Sequence, residues 1–325
     1  MLKNIKYGFV GVGHLGNYHI QQIQKINHVK IVGCYDLNNA HGRSVAENYN
    51  IPAFNDVLDL LELCDAVSVA TPASHHFNVT KKALESNCHV FIEKPIAHDI
   101  NQARELLLLS EKHDKLIQVG HIERFNPVFQ YFKKTLPSPK FIEAHRLAPF
   151  SVRGIDVNVV LDLMIHDIDL VLNLMGKRKI KNIDANGVNI LSDSTDLANA
   201  RIEFDNNLIV NLTASRISSN KMRKMRIFES QKYSSLNFDA FTVDIYASKN
   251  HKDIVNEKIL FEFENKTVSL ESIQLEANNA LYEELDAFIN SIVYSTKVVV
   301  GASEAILALE VALQIEKQIN ATKQR

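Results

Sequence analysis

The sequence predicts an α/β protein in which a doubly wound parallel sheet is followed by an α+β domain with a largely antiparallel, open sheet. The chain has 325 residues, enough for two domains of about 150 residues each. Its first 120 residues alternate short β-rich runs with helical stretches, which is typical of a parallel sheet covered by helices on both faces. After Gly120 the pattern changes to alternating strands with few helices. We predict one domain over residues 1–120 and another over residues 121–302, and we expect the last helix, 303–325, to pack on the first domain.

The first domain is predicted from β-branched and apolar runs that alternate with segments of helical periodicity. The strands are Tyr7 to Val10, Val29 to Tyr35, Ala66 to Ala70, His89 to Ile92 and Leu116 to Val119. The helices between them are Leu15 to Ile26, Gly42 to Tyr49, Val57 to Leu61, Phe77 to Ser86 and Asn101 to His113.

The second domain begins with a long helical segment and continues with strands. The helix is predicted over Val157 to Met175. The strands are Lys181 to Ile190, Ala198 to Phe204, Leu208 to Ser215, Met222 to Phe228 and Thr242 to Ala247. Two helices, Asn279 to Ser291 and Ser303 to Lys323, end the sequence.

Composition excludes several classes of protein. A net charge of −2 gives no field over the whole surface that would attract nucleic acid or an anionic membrane, so neither is an expected partner. No apolar run has the length of a membrane span. Cys34, Cys64 and Cys88 form no CxxC pair and lie within or beside apolar runs. We therefore expect buried structural thiols and a cytoplasmic protein.

A glycine-rich turn is the first motif that points to a ligand. Gly11, Gly13 and Gly16 follow a predicted strand and open a helix, the context that a GxGxxG motif needs. The glycines allow a tight turn, an approaching pyrophosphate and close helix packing, and the helix N-terminus attracts phosphate. Asp36 ends the second strand, where it accepts hydrogen bonds from ribose hydroxyls and repels a 2′-phosphate. We therefore predict a Rossmann domain that prefers NAD to NADP. The alternative is a glycine-rich turn that binds no ligand.

Further cofactor contacts are expected beside this turn. Within the motif these are His14 and Leu15, and after the third strand they are Thr71, Pro72 and His75. A plain turn at the end of the strand is the alternative for Thr71 and Pro72. The adjacent histidines 75 and 76 have no carboxylate or cysteine at ligand spacing, so we expect no metal site.

Two motifs carry groups that can transfer protons. Glu93-Lys94-Pro95 ends the next strand, and Lys94 is expected to project into the crevice over the nicotinamide, although a solvated loop lysine is the alternative. Asp162 and His166 have i,i+4 spacing in the predicted helix, so the carboxylate is placed to orient the imidazole. A polar stripe facing solvent is the alternative there.

In combination these motifs resemble the glucose-fructose oxidoreductase, inositol dehydrogenase and rhizopine-catabolism (Gfo/Idh/MocA) family of NAD(P)-dependent oxidoreductases. The resemblance implies that Lys94 is the active-site lysine, His166 the acid/base histidine and Asp162 the aspartate that completes the set. Glu93 and Lys94 are also expected near the cofactor. The implied reaction is oxidation of a sugar-type secondary alcohol, in which His166 or Lys94 takes the hydroxyl proton. The implied assembly is a homodimer or homotetramer built through the open sheets.

The segment after the last strand of the first domain extends the resemblance. His121, Arg124 and Asn126 in GHIERFNP are candidates for substrate binding, although an arginine at position 124 is equally a structural tie between domains. Arg146 and Arg153 are further candidates for substrate binding. The GHIERFNP segment, the GHLGNYH run and the stretch with Arg146 and Arg153 are similar to one branch of the family, the bacterial UDP-N-acetylglucosamine 3-dehydrogenases. That branch implies a 3-keto sugar nucleotide, a downstream sugar aminotransferase and a place in lipid A biosynthesis.

We therefore expect an NAD-dependent dehydrogenase of a sugar or sugar nucleotide, with C3 of UDP-N-acetylglucosamine as the best candidate. Asp162 and His166 are expected to contact the substrate as well as to catalyse. A free sugar, inositol or dihydrodiol is the alternative substrate, and a non-catalytic dinucleotide-binding regulator is the alternative of another class. The basic stretch 221–226 is interpreted as a solvated strand edge or as a contact for a diphosphate or a neighbouring subunit.

Overall fold

The computed structural model describes residues 4–135, 137–151, 157–176, 178–249, 258–264 and 266–323. The chain divides into two compact units. One comprises Met1–Ile122 with Asn279–Glu310, and the other comprises Glu123–Asn278 with Val311–Arg325.

A six-stranded parallel sheet forms the centre of the first unit, which confirms the doubly wound fold predicted from the alternating pattern. Its strands are β1 (Ile5–Val10), β2 (Val29–Tyr35), β3 (Ala53–Phe54), β4 (Ala66–Val69), β5 (His89–Glu93) and β6 (Ile117–Gly120). They lie in the order β3-β2-β1-β4-β5-β6, so the chain reverses direction across the sheet between β1 and β4. Ligands of doubly wound sheets bind at this switch point, outside the carboxyl ends of the strands.

Helices follow the strands closely along the chain. They are α1 (His14–Ile23), α2 (Asn39–Tyr49), α3 (Val57–Leu61), α4 (His76–Glu85), α5 (Ile100–His113), α6 (Pro127–Lys134), α7 (Ile165–Met175), α8 (Ala280–Val293) and α9 (Ala302–Lys323). Side-chain caps fix several starts: Asn38 accepts from the His41 N–H before α2, and Asp99 accepts from the Asn101 N–H before α5.

The C-terminal helices differ from the sequence expectation. Residues 279–302 are predicted within the second domain, but α8 belongs to the first unit, where it packs on α1. Phe288 of α8 is buried and meets Phe91 of β5 edge to face, with ring centroids 5.9 Å apart. Helix α9 is shared, because its residues up to Glu310 belong to the first unit and those from Val311 to the second. The apolar face of α8 therefore completes the core of the first unit.

A nine-stranded, mostly antiparallel sheet forms the second unit. Its strands are β7 (Phe141–Leu147), β8 (Ile180–Val188), β9 (Leu197–Phe204), β10 (Ile209–Ser215), β11 (Met222–Glu229), β12 (Lys232–Asn237), β13 (Thr242–Lys249), β14 (Lys258–Phe263) and β15 (Lys266–Gln274). The order is β14-β15-β13-β12-β11-β7-β10-β9-β8, and only β7 and β10 run parallel among the described pairs.

The sequence did not predict β7, the strand that joins the two halves of this sheet. Alternate residues Ile142, Ala144 and Arg146 are buried, so the inward face carries a charge that breaks the apolar alternation. Strand β7 is possible there because Arg146 finds buried carboxylate partners, described below.

Two further sequence expectations concern thiols and membranes. Cys34, Cys64 and Cys88 are free and buried, as predicted. Burial raises the pKa of Cys34 to about 11 and the pKa of Cys64 and Cys88 to about 12, so all three thiols stay protonated. Among the described helices, none is long and apolar enough to cross a membrane.

Candidate active site

Each glycine of the turn between β1 and α1 has different steric surroundings. Gly11 has φ +82°, and a Cβ there would lie 2.8 Å from the backbone nitrogen of Thr71. A Cβ on Gly16 would collide with the carbonyl oxygen of Gly11, so this glycine lets the helix approach the turn. A Cβ on Gly13 would meet no atom within 4 Å. Gly13 is thus dispensable for packing and borders open space where a pyrophosphate fits.

Asp36 follows β2 and is already fixed by the backbone around it. Its two carboxylate oxygens accept hydrogen bonds from the Val12 N–H and the Asn38 N–H, each at 2.9 Å. Each oxygen has a second lone pair, so the carboxylate can still accept from the two hydroxyls of a ribose. The same charge would repel a 2′-phosphate.

Other predicted cofactor residues surround this edge of the sheet. His14, Leu15, Pro72 and His75 are exposed. The hydroxyl oxygen of Thr71 is buried and has no hydrogen-bond partner among the described residues. A buried polar atom of this kind is normally paired. The orphan hydroxyl, the open space at Gly13 and the Asp36 carboxylate together fit a bound dinucleotide.

Lys94 and Glu93 lie at the end of β5, and a contact with His19 anchors Glu93. Both are half-buried, and the peptide bond from Lys94 to Pro95 is cis. The Glu93 carboxylate lies 3.0 Å from Nε2 of His19 on α1. Burial alone would raise the pKa of Glu93, but the His19 hydrogen bond and the charges of His19 and Lys94 outweigh it and lower that pKa. Glu93 is therefore ionised at neutral pH.

His19 is a buried polar residue of this site that the sequence analysis did not select. It is fully buried on α1, and its Nδ1 lies 3.1 Å from the Ser68 hydroxyl, which lies 2.7 Å from the hydroxyl of Tyr7. The sequence pattern could have identified it, because a histidine beside the buried isoleucines 20 and 23 of α1 needs polar partners.

His76 was also missed, whereas its exposed neighbour His75 was selected. The His76 ring is 1% exposed and lies between two loops at the carboxyl edge of the sheet. Its Nδ1 is 2.7 Å from the Pro95 carbonyl oxygen, and its Nε2 is 2.9 Å from the Thr71 carbonyl oxygen. His76 thus joins the loop with Thr71 to the loop with Lys94.

The second unit presents Asp162 and His166 together on one element. The predicted helix begins with a π turn over Val160–Met164 and continues as α7. Asp162 lies in the π turn and His166 in the first turn of α7, and both are half-buried. Four residues still make about one turn, so they share a face, and π turns occur frequently at functional sites. The π turn packs against β7 and β10.

The residue after His166 is held by a buried ion-pair network. Arg146 donates to both oxygens of Asp167, at 3.0 and 2.8 Å, and to Glu123 at 2.7 Å. Arg223 also lies 3.2 Å from Glu123. Burial alone would lower the pKa of Arg146, but the charges of Asp167 and Glu123 raise it above its ordinary value. The network fixes the start of α7.

Arg124 and Asn126 have comparable structural roles. Arg124 donates to both oxygens of Asp169 on α7, and both residues are buried. Asn126 caps α6 by accepting from the Val128 N–H, and its amide nitrogen lies 3.2 Å from both Glu123 and the Phe238 carbonyl oxygen.

Arg124, Asn126 and Arg146, which we expect to bind the substrate, are buried and contact protein partners that position α7 and α6. Their contact with the substrate stays a prediction. His121 is buried, and Arg153 lies outside the described residues.

Three of the four basic residues in the stretch 221–226 pair with acidic neighbours, which favours a solvated strand edge over a diphosphate site. Lys221 pairs with Asp239 at 2.7 Å, Arg223 with Glu123, and Arg226 with Glu143. Within the described ranges, no group of three or more His, Cys, Asp or Glu residues is placed to hold a metal ion.

Comparison with family models agrees with this geometry. The model described as "Oxidoreductase family, NAD-binding Rossmann fold" matches residues 5–121. The model described as "GFO/IDH/MocA C-terminal domain" matches residues 145–232. The matches confirm the predicted fold class, the resemblance and NAD as the cofactor.

Individual relatives give a finer comparison. The chain is 34% identical over 323 residues to UDP-N-acetylglucosamine 3-dehydrogenase from Acidithiobacillus ferrooxidans, with 99% of each chain covered. A solved structure of that enzyme has a TM-score of 0.88, at 33% identity and 99% coverage of each chain. Inositol 2-dehydrogenase from Corynebacterium glutamicum is 28% identical over 191 residues, with 55% of this chain and 57% of the relative covered. Scyllo-inositol dehydrogenase from Lactobacillus casei, solved with NAD(H) and scyllo-inositol, shares the fold with a TM-score of 0.78, at 22% identity and 98% coverage of each chain.

Proposed function

The chain belongs to the GFO/IDH/MocA family of oxidoreductases, and from this premise we propose that it oxidises the C3 hydroxyl of UDP-N-acetylglucosamine with NAD. The observation that carries the proposal is the similarity to UDP-N-acetylglucosamine 3-dehydrogenase, which extends over 99% of both chains. The inositol 2-dehydrogenase match covers little more than half of each chain. Sugar-nucleotide chemistry is therefore the better-supported assignment.

The first unit supplies the cofactor site. The turn at Gly11, Gly13 and Gly16 and the N-terminus of α1 receive the pyrophosphate, and Asp36 accepts the hydroxyls of the adenosine ribose. The orphan hydroxyl of Thr71 gains a partner when the cofactor binds. NAD, when bound, accepts a hydride from the carbon that carries the substrate hydroxyl.

Proton transfer belongs to Lys94, His166 and Asp162. As the C–H hydride leaves, the substrate O–H bond breaks, its proton passes to His166 or Lys94, and a C=O bond forms. Asp162 orients His166 from one turn away and stabilises the imidazolium that results when His166 is the acceptor. The group that does not take the proton holds the substrate oxygen in place.

The retained set of Lys94, Asp162 and His166 supports an enzyme over a non-catalytic regulator, because a sensor of NAD has no use for a proton relay. Oxidation of a free sugar, inositol or dihydrodiol would use the same three residues, and only the substrate pocket would differ. The inositol 2-dehydrogenase relatives keep inositol as the second candidate substrate.

Initial rates of NADH formation test the proposal. UDP-N-acetylglucosamine, free N-acetylglucosamine and inositol are compared at equal concentrations, and we expect turnover with the nucleotide sugar alone. Lys94→Ala and His166→Ala should each lower kcat about 10²- to 10⁴-fold. Faster turnover of inositol would move the assignment to the second candidate, and undiminished rates in both variants would refute the proton-transfer roles.

The wider context is part of the same proposal. A 3-keto sugar nucleotide is a substrate for a sugar aminotransferase, and we place the chain before such an enzyme, in the cytoplasm, on the way to lipid A.

We also propose a homodimer or homotetramer formed through the second sheet. Its open face carries a partly exposed row of stacked rings, from Phe228 through Tyr233 to Tyr246, with centroids 4.8 and 5.0 Å apart. Light scattering of wild type and Tyr233→Glu would test this assembly.

A further inference from the structure

A buried chain of hydrogen bonds ends at Glu93. Glu93 is ionised and accepts only, so Nε2 of His19 donates to it. Nδ1 of His19 lies 3.1 Å from the Ser68 hydroxyl, which lies 2.7 Å from the hydroxyl of Tyr7, the first group of the chain. Burial raises the pKa of Tyr7, so this first group keeps its proton.

The contact with His19 holds one carboxylate oxygen of Glu93 in place. The site therefore contains a fixed carboxylate charge next to Lys94, whose charge acts on Glu93.

The position of Glu93 is also fixed from the neighbouring strand. Glu93 pairs with Gly120 of β6, and a Cβ on Gly120 would lie 3.0 Å from Oε2 of Glu93. The glycine thus leaves room for the carboxylate. One oxygen is held by His19 and the other lies over Gly120, so the charge cannot swing away from the carboxyl edge of the sheet.

The strand order places this charge on the nicotinamide side of the proposed cofactor site. The pyrophosphate site lies at β1, and Asp36 takes the adenosine half on the β2 side. The nicotinamide half would then extend the other way, towards the ends of β4 and β5, where Thr71, Glu93 and Lys94 lie. The oxidised ring is a cation and the reduced ring is neutral.

We propose that Glu93, kept anionic by His19, makes this site selective for the oxidised cofactor. The Glu93 carboxylate attracts the nicotinamide cation, and it offsets the repulsion that Lys94 exerts whenever Lys94 carries a proton. The neutral ring of NADH feels neither charge strongly. Glu93 is thus a specificity-determining residue for the cofactor's redox state, and His19 is its positioning residue. The inference rests on the proposed place of Lys94 beside the nicotinamide, but its test needs no sugar substrate.

Binding of three ligands to wild type and Glu93→Gln tests this proposal by calorimetry. ADP-ribose has no nicotinamide ring, NADH has a neutral ring and NAD⁺ has a cationic ring. We expect Glu93→Gln to raise the Kd of NAD⁺ about tenfold, equivalent to about 1.4 kcal/mol, and to change the other two Kd values less than about twofold. Lys94→Met should shift the ratio of the NAD⁺ and NADH Kd values in the opposite direction.

His19 variants test the positioning role through a pH profile. His19→Met removes the donor to Glu93, so the pKa of Glu93 should rise and NAD⁺ binding should weaken as pH falls. His19→Gln keeps an N–H donor and should bind NAD⁺ like wild type. The other charged groups that act on Glu93 are Lys94 and His76, and neither differs between these two variants.

Two results would overturn the proposal. Equal weakening of all three ligands in Glu93→Gln would show a merely structural role, and unchanged Kd values would show that the charge has no influence on the ring. If Glu93→Gln does not fold, the comparison of His19→Met with His19→Gln at several pH values still tests whether the charge of Glu93 affects NAD⁺ binding. Failure of every sugar to react would refute the proposed substrate and leave these binding results unaffected.

Discussion

Arg146 donates hydrogen bonds of 3.0 and 2.8 Å to the two oxygens of Asp167, the residue that follows His166. The pair is buried, and it joins β7 to the first turn of α7. An arginine that the family resemblance proposes for the substrate therefore also holds the proposed acid/base histidine in place.

Removing this arginine should be costly for both stability and catalysis. Arg146→Met leaves Asp167 and Glu123 as buried charges without their main partner, and we expect a loss of about 3–5 kcal/mol in the free energy of unfolding. Arg226→Met, which breaks a more exposed pair with Glu143, is the matched control and should cost less than about 1 kcal/mol. Urea denaturation measures both; similar losses in the two variants would contradict a special role for Arg146.

The glycine-rich turn predicts two different outcomes for two similar substitutions. Gly16→Ala drives a methyl group into the Gly11 carbonyl and should lower stability by about 3 kcal/mol. Gly13→Ala meets no protein atom, so its thermal midpoint should equal that of wild type while its Kd for NAD rises about tenfold. Normal NAD binding by Gly13→Ala would show that the pyrophosphate does not lie there.

Asp36 should set the choice between NAD and NADP. Asp36→Ser removes the charge that repels a 2′-phosphate but leaves a hydroxyl that can accept from the Val12 N–H. We expect the ratio of the NADP and NAD Kd values to fall about tenfold or more. Asp56→Ser, at the N-cap of α3, removes a carboxylate elsewhere in the same unit and should leave that ratio unchanged.

His76 should make the first unit less stable in acid. Burial lowers the pKa of His76 despite its contacts with the Pro95 and Thr71 carbonyl oxygens. The unfolded chain, with an ordinary pKa of about 6.5, then binds the proton more readily than the folded chain. The contribution of His76 is complete above that pH and is lost as pH falls, by at most about 1.4 kcal/mol per pH unit.

The difference in slope between two variants measures this effect. His76→Gln should show a shallower loss of unfolding free energy between about pH 6.5 and 5 than wild type. His75→Gln, at the exposed neighbouring position, should retain the wild-type slope. Identical slopes for wild type and His76→Gln would contradict the assignment.

Local patterns in the sequence were sufficient for the first sheet and its glycine-rich turn. In β5, Val90 to Ile92 form a continuous, fully buried apolar run because both faces of a parallel sheet are covered. Strand β7 escaped prediction because Arg146 breaks its alternation, and its partners Glu123 and Asp167 are distant in sequence. The sequence analysis placed α8 in the wrong unit for a related reason, because no local pattern shows which sheet an amphipathic helix covers.

The site shows the same division between local and distant information. Motif spacing was enough to select Gly11, Asp36 and Lys94 as candidates. His19 and His76 were missed because their importance lies in partners that only the fold brings near, at Glu93 and at two loop carbonyls. Polar residues on otherwise buried helix faces are the sequence signal that would have singled them out.

Transfer of a labelled hydride tests the central claim most directly. Wild-type protein is incubated with NAD and UDP-N-acetylglucosamine deuterated at C3 of the sugar, and the reduced cofactor is analysed by mass spectrometry. We predict NADH that carries the deuterium, together with a 3-keto sugar nucleotide that has lost it. Unlabelled NADH, or no NADH at all, would contradict oxidation at C3 of this substrate.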